Sequence, residues 1–450
     1  MSVEVKIKKG VNILLKGSAD KVVSDAPVED TYAIKPGDFP GVVPKMVVKE
    51  GAEVKAGDVL FYNKLDERVK FSSPVSGEVA EIRRGAKRKI LEVIILADKK
   101  SESKKFEAAS ASSLDRDKII STLLESGAWP FIRQRPFDVI ANPSDKPKAI
   151  FISAFNSAPM AEDYDFIMHR QDAGFQAGLD VLKKLTDGTV HLNINGSIKA
   201  DDAFLNAKGV QINKIYGPHP AGNVGIQIHH IDPINKGEIV WVVNPQDVLI
   251  IGKLFAAGKF EPTRTIALNG SKVKAPKYFK TTLGASVKNL LNGQIEEGNR
   301  RVISGNVLNG TKITDDGYLG FYDHQISVIP EGGNDEFFGW VSPGFNKFSL
   351  SKTFLSWLTP NKEYDLNTNY NGEERAFVMS GEYEKVIPMD IYPVHLLKAI
   401  LIEDIELMEN LGIYEVAPED FALAEYGCTS KINAQEIVRT GLNLVQKETM

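Results

Sequence analysis

The sequence predicts an α/β multidomain protein with four successive regions: a β-rich region, a region of alternating strands and helices, a second β-rich region and a helical C-terminal region. Three observations carry this prediction. Short β-branched runs alternate with turns that contain glycine or proline from residue 36 to residue 79. Strand-like and helix-like periods alternate between residues 114 and 257, which is typical of a parallel sheet. Helical spacing of apolar residues then dominates from residue 394 onward.

The first region, residues 1–100, contains two similar half-modules of turn and strand. One begins at Pro36-Gly37 and continues with Pro40-Gly41-Val42-Val43-Pro44, and the other begins at Ser72-Ser73-Pro74-Val75-Ser76-Gly77. Such turn chemistry favours hairpins over helix. The pattern resembles the barrel-sandwich hybrid of lipoyl and biotinyl carrier domains, and we expect strands at Val3–Ile7 and Val11–Leu15 to complete the same unit.

Carrier domains of that kind are modified on a lysine at a hairpin tip. Here the tip is predicted near Asp66-Glu67, and Lys64 is offset from it by a residue or two. A carrier shape without its attachment residue predicts a structural or docking module, with a biotinyl or lipoyl carrier as the alternative. A second hairpin tip, Arg83–Lys89, is strongly basic, and it is interpreted either as a solvated turn or as a contact for anionic lipid or an acidic partner.

Residues 101–258 are predicted to form a Rossmann-like domain without a cofactor fingerprint, whose elements follow a charged, serine-rich linker at Asp98–Ser113. Its predicted elements alternate in type: a helix at Leu114–Gly127, a strand at Lys148–Ala154, a helix at Asp172–Leu185, strands at Thr189–Ile194, Gln211–Ile215 and Ile239–Val243, and a helix at Asp247–Ala257.

Residues 259–332 are predicted to form a β-grasp (SLBB-like) domain, because two hairpins surround one helix. The predicted elements are a hairpin of Thr263–Leu268 and Ser271–Val273, a helix at Thr281–Leu291, and strands at Arg301–Ile303 and Gln325–Ile329. Residues 333–450 are predicted to form a C-terminal helical domain with helices at Val394–Gly412, Pro418–Glu425 and Asn433–Lys447.

Composition excludes several classes of protein. The 54 basic and 59 acidic residues give a net charge of −5, which argues against a nucleic-acid-binding protein. The sequence has no apolar run of the ~18–20 residues that a membrane span requires and no signal-peptide core, so we expect a cytoplasmic protein. The single cysteine, Cys428, excludes an intrachain disulfide and a cysteine-ligated zinc or iron–sulfur site.

The segment Gly127–Phe137 is the strongest candidate site. It carries aromatic residues, prolines and two arginines where nucleotide-binding folds place a glycine-rich phosphate loop. One interpretation is a pocket for a flat apolar ligand such as a quinone, in which an arginine polarises a carbonyl and the contacts are Phe39, Trp129, Phe131, Arg133 and Arg135. The favoured alternative is a packed connector that fills the former cofactor cleft.

Other motifs predict structural roles. Gly217–Gly225 has the wrong spacing for a dinucleotide fingerprint, and Gly305–Lys312 imitates a phosphate loop but is interpreted as a turn. His229 and His230 would point to opposite faces of a strand, so no metal site is predicted there. The charged residues Asp163, Asp165, His169 and Arg170 are interpreted as charge at a helix start rather than as an acid–base set.

Taken together, these motifs give the chain an end-to-end resemblance to a known family. It resembles the A subunit of the bacterial sodium-translocating NADH:quinone reductase, and it is similar in layout to the C subunit of the Rnf complex and to the NADH-binding flavin subunit of complex I. The resemblance is carried by Asp38-Phe39-Pro40-Gly41, Val54-Lys55-Ala56-Gly57-Asp58, Ser73–Gly77, Gly127–Pro136, Gly217–Asn223 and Arg301-Val302-Ile303-Ser304-Gly305.

The resemblance implies a peripheral subunit on the cytoplasmic face of the bacterial inner membrane. Its complex couples electron transfer from NADH to ubiquinone or another quinone with Na+ export, and the membrane subunits B and C are its expected partners. The resemblance further implies that NADH, FAD, FMN, iron–sulfur clusters and quinone act elsewhere in the complex. The flavin loop of the relatives aligns with Trp129–Arg135 and only Cys428 remains of the cluster cysteines, so we expect no cofactor and no catalytic residue in this chain. The alternative is a stand-alone Rossmann-type nucleotide- or flavin-binding oxidoreductase.

Overall fold

The computed structural model describes residues 2–333, 338–339 and 341–449, and it confirms the predicted fold class. The N-terminal strands are β1 (Glu4–Lys6), β2 (Asp20–Asp25), β3 (Thr31–Ile34), β4 (Pro44–Met46), β5 (Glu53–Val54), β6 (Val59–Asn63), β7 (Asp66–Ser72), β8 (Gly77–Arg84) and β9 (Ile90–Ala97). Two small sheets, of order β3-β9-β8-β5 and β4-β6-β7, form the barrel-sandwich hybrid.

The first two strands of the chain, β1 and β2, belong to other sheets. β1 pairs in parallel with a strand of the α/β region, Glu4 opposite Lys214, and β2 pairs with a strand of the second β-rich region, Asp20 opposite Lys277. The Val11 amide donates to the His219 carbonyl and Leu15 forms a bridge with Tyr364 of the C-terminal region. The prediction that Val3–Ile7 and Val11–Leu15 complete the barrel-sandwich hybrid is therefore wrong for both segments. Alternation shows that one face of a strand is buried, but it does not specify which sheet covers that face.

The predicted position of the hairpin tip is also wrong. The two residues between β6 and β7 are Lys64 and Leu65, and both are exposed. Asp66, one of the two residues predicted at the tip, already pairs with Asn63 at the end of the hairpin. A lysine therefore stands at this tip, and the sequence argument against a carrier loses its basis.

The α/β region contains a seven-stranded sheet of order β1-β14-β13-β12-β15-β10-β11. Its elements are α1 (Arg116–Ser126), β10 (Arg133–Arg135), β11 (Val139–Ile140), β12 (Ala149–Ser153), α2 (Tyr164–Ile167), α3 (Asp172–Lys183), β13 (Thr189–Asn195), α4 (Asp202–Leu205), β14 (Gln211–Tyr216), α5 (Val224–Ile231), β15 (Val240–Val242) and α6 (Pro245–Ala257). β12, β13, β14 and β15 are parallel, as predicted for a Rossmann-like sheet.

Local sequence explains the helix boundaries in this region. Asp115 caps α1 by accepting a hydrogen bond from the Lys118 amide at 2.8 Å, and Gly127 ends the helix in the left-handed conformation with φ of 76°. The helices α3 and α6 cross at glycines, and a Cβ on Gly178 would lie 2.0 Å from the carbonyl oxygen of Val248. Only glycine permits so close a backbone approach.

The second β-rich region contains β16 (Thr263–Asn269), β17 (Lys277–Thr282), α7 (Lys288–Leu291), β18 (Arg300–Ser304), β19 (Thr311–Ile313) and β20 (Gln325–Pro330), in a sheet of order β19-β18-β20-β16-β17-β2. The predicted second hairpin strand, Ser271–Val273, is wrong, because β16 pairs with Lys277–Thr282. The helix predicted at Thr281–Leu291 is reduced to its last turn. Buried Tyr278 and Phe279 anchor the observed strand, and the two threonines end it instead of capping a helix.

The C-terminal region contains α8 (Tyr383–Val386), α9 (Pro393–Leu401), α10 (Ile405–Asn410), α11 (Pro418–Gly427) and α12 (Ala434–Thr449). The single helix predicted at Val394–Gly412 is divided, because the Asp404 side chain accepts a hydrogen bond from the Leu407 amide and starts a new helix. None of the helices in the described part of the chain is long and apolar enough to cross a bilayer. The predicted boundaries after residues 100, 258 and 332 stay predictions.

Candidate functional site

The candidate site lies where the order of the α/β sheet reverses. The chain runs from β12 to β13 and β14 on one side and returns to β15 on the other side of β12. In such sheets ligands bind in the crevice at the carboxyl ends of the strands next to this switch point. β10 runs antiparallel beside β15 with Arg133 opposite Val242, so the segment predicted as a site does lie at this crevice.

A buried ion pair occupies the start of α6. Asp247, in the first turn of that helix, contacts Arg264 of β16 at 2.6 Å, and both side chains are fully buried. Arg264 also donates to the carbonyl oxygen of Phe321. Burial raises the pKa of Asp247, and Arg264 opposes that rise. The positive end of α6, which a phosphate approaches in nucleotide-binding folds, therefore faces a carboxylate of the protein itself.

Aromatic side chains from three regions pack beside this ion pair. Phe131 stacks on Phe321 with ring centres 5.1 Å apart, and Phe39 packs edge-on against Phe321 at 4.7 Å. The Arg264 guanidinium lies 5.5 Å from the centre of the Phe131 ring. Phe39 and Phe131 are only 2% and 1% exposed, so the aromatic groups fill the junction with one another.

Arg133 completes this junction. Its guanidinium lies 5.0 Å above the ring of Tyr322, whose hydroxyl donates to the Pro130 carbonyl at 2.7 Å. Tyr322 also packs against Phe39, with ring centres 5.8 Å apart. Three of the five predicted quinone contacts, Phe39, Phe131 and Arg133, therefore meet in one place.

The other two predicted contacts point into different surroundings. Trp129 packs edge-on against Trp241 at 5.5 Å and donates through Nε1 to the Ala141 carbonyl at 2.7 Å. Arg135 is bound at 2.6 Å to Glu419 of α11. Trp129 therefore packs in the core of the α/β region, and Arg135 connects that region to the C-terminal helices.

A cluster of buried charges surrounds Asp138. Its carboxylate lies 3.2 Å from Arg133, 3.6 Å from Arg135 and 3.1 Å from Arg439 of α12. Burial alone would raise the pKa of Asp138, but the three arginines outweigh it and lower that pKa to about 2. Asp420 lies 3.6 Å from Arg135, but here burial outweighs the arginine and raises the pKa of Asp420 to about 7. The cluster locks β10 to the helical region.

Sequence reasoning missed a third buried polar group. The hydroxyl of Tyr164 lies 2.7 Å from Nδ1 of His324, and a Glu162 carboxylate oxygen lies 4.0 Å from the same nitrogen. Burial lowers the pKa of His324 well below its ordinary value and raises the pKa of Glu162, because burial opposes the charged form of each group. The residues come from distant parts of the chain and no motif links them, so only the fold could reveal the group.

Asp163 and the two adjacent histidines make structural contacts. Asp163 caps α2 by accepting from the Phe166 amide at 3.0 Å. The His229-His230 pair lies in helix α5 and not in the predicted strand. His229 Nδ1 donates to Glu415 at 2.6 Å, and His230 donates to the Pro388 carbonyl at 2.8 Å. Within the described ranges no group of histidine, cysteine, aspartate and glutamate side chains is placed to hold a metal ion.

An open polar cleft of about 350 Å³ lies between the loop before β15 and the C-terminal helices. Its lining groups bond to one another: Lys236 contacts Glu409 at 2.7 Å, and the Tyr414 hydroxyl donates to Glu409 at 2.5 Å. The cleft is lined by residues that are far apart in sequence, and sequence reasoning gave no signal for it.

Family models match three successive parts of the chain. Family models described as the NqrA N-terminal barrel-sandwich hybrid domain, the NqrA second alpha/beta domain and the NQRA C-terminal domain match residues 5–98, 114–260 and 265–315. Half of the chain also superposes on 48% of a chain of an NAD+-reducing [NiFe]-hydrogenase, with a TM-score of 0.37 and 13% identity, a likeness too weak to support an inference.

Curated relatives match over nearly their full length. Proteins named as the A subunit of the Na(+)-translocating NADH-quinone reductase, from Neisseria meningitidis and from Yersinia pestis, are each 38% identical over 448 residues, which is 99% of this chain and 100% of the relative. The protein of the same name from Marinomonas is 38% identical over 98% of this chain and 99% of its own length. This chain therefore belongs to the family of Na(+)-translocating NADH-quinone reductase A subunits.

Proposed function

We propose that this chain is the peripheral A subunit of a bacterial sodium-translocating NADH:quinone oxidoreductase, in which electron transfer from NADH to a quinone is coupled to Na+ export. One observation carries the proposal: 38% identity extends over 99% of this chain and 100% of a relative that bears that name. The likeness covers all four regions, so it concerns the entire protein and not one shared domain.

We further propose that the subunit works without a flavin or an iron–sulfur cluster of its own. The switch-point crevice supports this, because Phe131, Phe321 and the Asp247–Arg264 pair fill it. The single cysteine, Cys428, is buried and cannot supply the several thiolates that a cluster requires. No catalytic activity is then expected of the isolated chain, and the stand-alone oxidoreductase is the alternative that the test must exclude.

A quinone contact at the aromatic junction remains part of the proposal. Phe39, Phe131 and Arg133 offer ring faces and a guanidinium that could hydrogen-bond a quinone carbonyl. Since Phe131 is packed against Phe321, a quinone ring would have to displace Phe321 or Tyr322 to reach it. Trp129 and Arg135 would then act indirectly, by holding the segment that carries the other three residues.

The partners follow from the same proposal. A subunit of such a complex binds other subunits, and we propose the membrane subunits B and C as its direct neighbours, on the cytoplasmic face of the inner membrane. The near-neutral charge balance, with a net charge of −5, agrees with docking on protein and not on nucleic acid.

Co-purification from the host bacterium tests the assembly. The chain is tagged at its chromosomal locus, membranes are solubilised in mild detergent, and captured proteins are identified by mass spectrometry beside an untagged strain. We expect membrane-spanning partners and NADH-dependent quinone reduction that Na+ stimulates. Recovery of the chain alone from the soluble fraction, with NADH oxidation of its own, would favour the stand-alone enzyme instead.

The absorbance spectrum of the chain expressed alone tests the cofactor proposal. We expect no flavin or iron–sulfur bands. Stoichiometric flavin absorbance that survives gel filtration would contradict the filled crevice. The quinone contact is tested by titrating a soluble quinone against tryptophan fluorescence, where saturable quenching should weaken in Phe131→Ala and persist in Phe354→Ala, a phenylalanine outside the junction.

A further inference from the structure

Residues 341–362, which we call the Trp357 lobe, carry an unusual amount of exposed apolar surface. Five large apolar side chains in the lobe are between 42% and 62% exposed: Val341, Phe345, Leu355, Trp357 and Leu358. Trp129 and Trp241, by contrast, are fully buried. An exposed apolar cluster of this kind marks a surface that contacts something else.

The opposite side of the lobe is packed onto the protein. Phe348 contacts Tyr364 and Tyr426, with ring centres 5.7 and 6.2 Å apart, and Leu350 lies against the helix end at Gly427. Tyr364 is itself buried. The lobe therefore has an inner face that anchors it and an outer face that has no cover within the described parts of the chain.

Hydrogen bonds hold the outer face in shape. The Leu355 amide donates to the Pro343 carbonyl at 2.9 Å, and the Ser356 hydroxyl donates to the Lys347 carbonyl at 2.5 Å. The Lys362 ammonium donates to the Phe345 carbonyl at 2.9 Å. These bonds bring the Val341–Lys347 strip beside the 3-10 turn Leu355–Leu358, so the apolar side chains are presented by one compact unit.

The charge of the lobe indicates what covers it. Between residues 341 and 362 the sequence has three lysines, Lys347, Lys352 and Lys362, and no aspartate or glutamate, although the whole chain has a net charge of −5. Glu363 and Asp365 follow the lobe directly, so the local charge from residue 341 to residue 365 is +1. The exposed pair Leu401 and Ile402, with Lys398 before it and Glu403, Asp404 and Glu406 after it, has a local charge of −2. Apolar exposure and positive charge thus coincide in the Trp357 lobe.

Tryptophan, leucine and phenylalanine with nearby lysines are the composition of segments that lie in a membrane interface, where rings enter the headgroup layer and ammonium groups meet anionic lipid. The cores of protein–protein interfaces are depleted in lysine. We propose that the Trp357 lobe docks on the anionic headgroup surface of the bilayer. This inference deepens the proposed membrane-side location and rests on it.

Vesicle binding by the purified full chain tests the proposal without any partner protein. The chain is sedimented with vesicles of phosphatidylcholine alone and with vesicles that also contain phosphatidylglycerol. We expect binding to the anionic vesicles, a blue shift of tryptophan emission that is smaller in Trp357→Phe, and weaker binding at 1 M salt, where charges are screened beyond about 3 Å.

Two double variants distinguish binding through the lobe from nonspecific binding through exposed apolar side chains. Trp357→Ser/Leu358→Ser should weaken partitioning about tenfold or more, because two partly exposed apolar groups no longer enter the interface. Leu401→Ser/Ile402→Ser changes two apolar side chains that are 56% and 69% exposed in acidic surroundings, and it should leave partitioning unchanged. Both variants change solvent-exposed groups, and unchanged thermal midpoints confirm that they fold.

Three outcomes would overturn the proposal. They are absence of binding to anionic vesicles, equal loss in the two double variants, and full binding by Trp357→Ser/Leu358→Ser. If vesicles do not bind but that variant loses its partners in the co-purification, a protein covers the lobe and the lipid proposal is refuted while the assembly stands. If the wild-type chain binds anionic vesicles but captures no partners, the proposed function fails by itself.

Discussion

Removing Arg264 should strongly destabilise the junction where three regions meet. Arg264→Met leaves the Asp247 carboxylate fully buried without its partner at 2.6 Å, and it also removes the bond to the Phe321 carbonyl. Breaking a buried pair from one side costs about 3–5 kcal/mol. Because the urea slope grows with protein size beyond the ~1–3 kcal/mol per molar of small proteins, the unfolding midpoint should fall by roughly 1 M.

The assay is urea unfolding followed by the blue-edge fluorescence of Trp129 and Trp241, which are buried in the same region. The defect should be larger at pH 8 than at pH 5. Burial raises the folded-state pKa of Asp247 above its unfolded value. Without Arg264, the folded protein therefore holds Asp247 more favourably when it is protonated, and the free energy of unfolding falls as pH rises through that pKa.

A double variant decides whether the missing partner causes the loss. Arg264→Met/Asp247→Leu removes both charges and should regain most of the lost stability, because no unpaired carboxylate remains. A drop of less than about 0.5 M in Arg264→Met, or no recovery in the double variant, would refute the view that a buried ion pair fills the crevice.

Three further predictions follow from single features. Since burial raises the folded-state pKa of Asp420 to about 7, its contribution to stability should fall as pH rises from about 4 to 7, and Asp420→Asn should remove that part of the pH dependence of the unfolding midpoint; identical profiles for both proteins would contradict it. Gly178→Ala should destabilise the α3–α6 packing by roughly 2 kcal/mol or more in thermal unfolding, because its Cβ would lie 2.0 Å from the Val248 carbonyl oxygen, whereas Gly37→Ala, which has nothing within 4 Å, should be neutral. The intact mass of the chain from its host should be the bare 49.6 kDa, and Lys64→Arg should likewise show only the mass of its own sequence. A biotinyl or lipoyl mass that is present in the natural chain and absent in Lys64→Arg would identify a carrier.

Sequence patterns predicted the elements whose period is long and sustained. The helix at Leu114–Gly127 and the parallel strands at Lys148–Ala154 and Thr189–Ile194 are confirmed because each carries a clear period and is bounded by turn residues. The sheet to which a short strand belongs was predicted poorly. The three-residue strand at Glu4–Lys6 joins a partner more than 200 residues away, and local alternation cannot encode such a pairing.

The candidate site was predictable in place but not in detail. The bulky residues of Gly127–Phe137 indicated a filled crevice, and Phe131 and Arg133 do lie there. The groups that fill the rest of it, Arg264, Phe321 and Tyr322, come from the second β-rich region, and their approach depends on how two separate sheets pack. A pattern within one segment carries no information about such a contact.

The way the regions interlock bears on the role of this protein. β1 adds a strand to the α/β sheet and β2 adds one to the second β-rich sheet, so the first 25 residues tie three regions together. Asp38 strengthens the tie by accepting a hydrogen bond from the Phe321 amide at 2.8 Å. Arg135 and Arg439 then fasten the fourth region through buried charges. Strand pairing between regions and buried ion pairs therefore hold the four regions in one fixed arrangement.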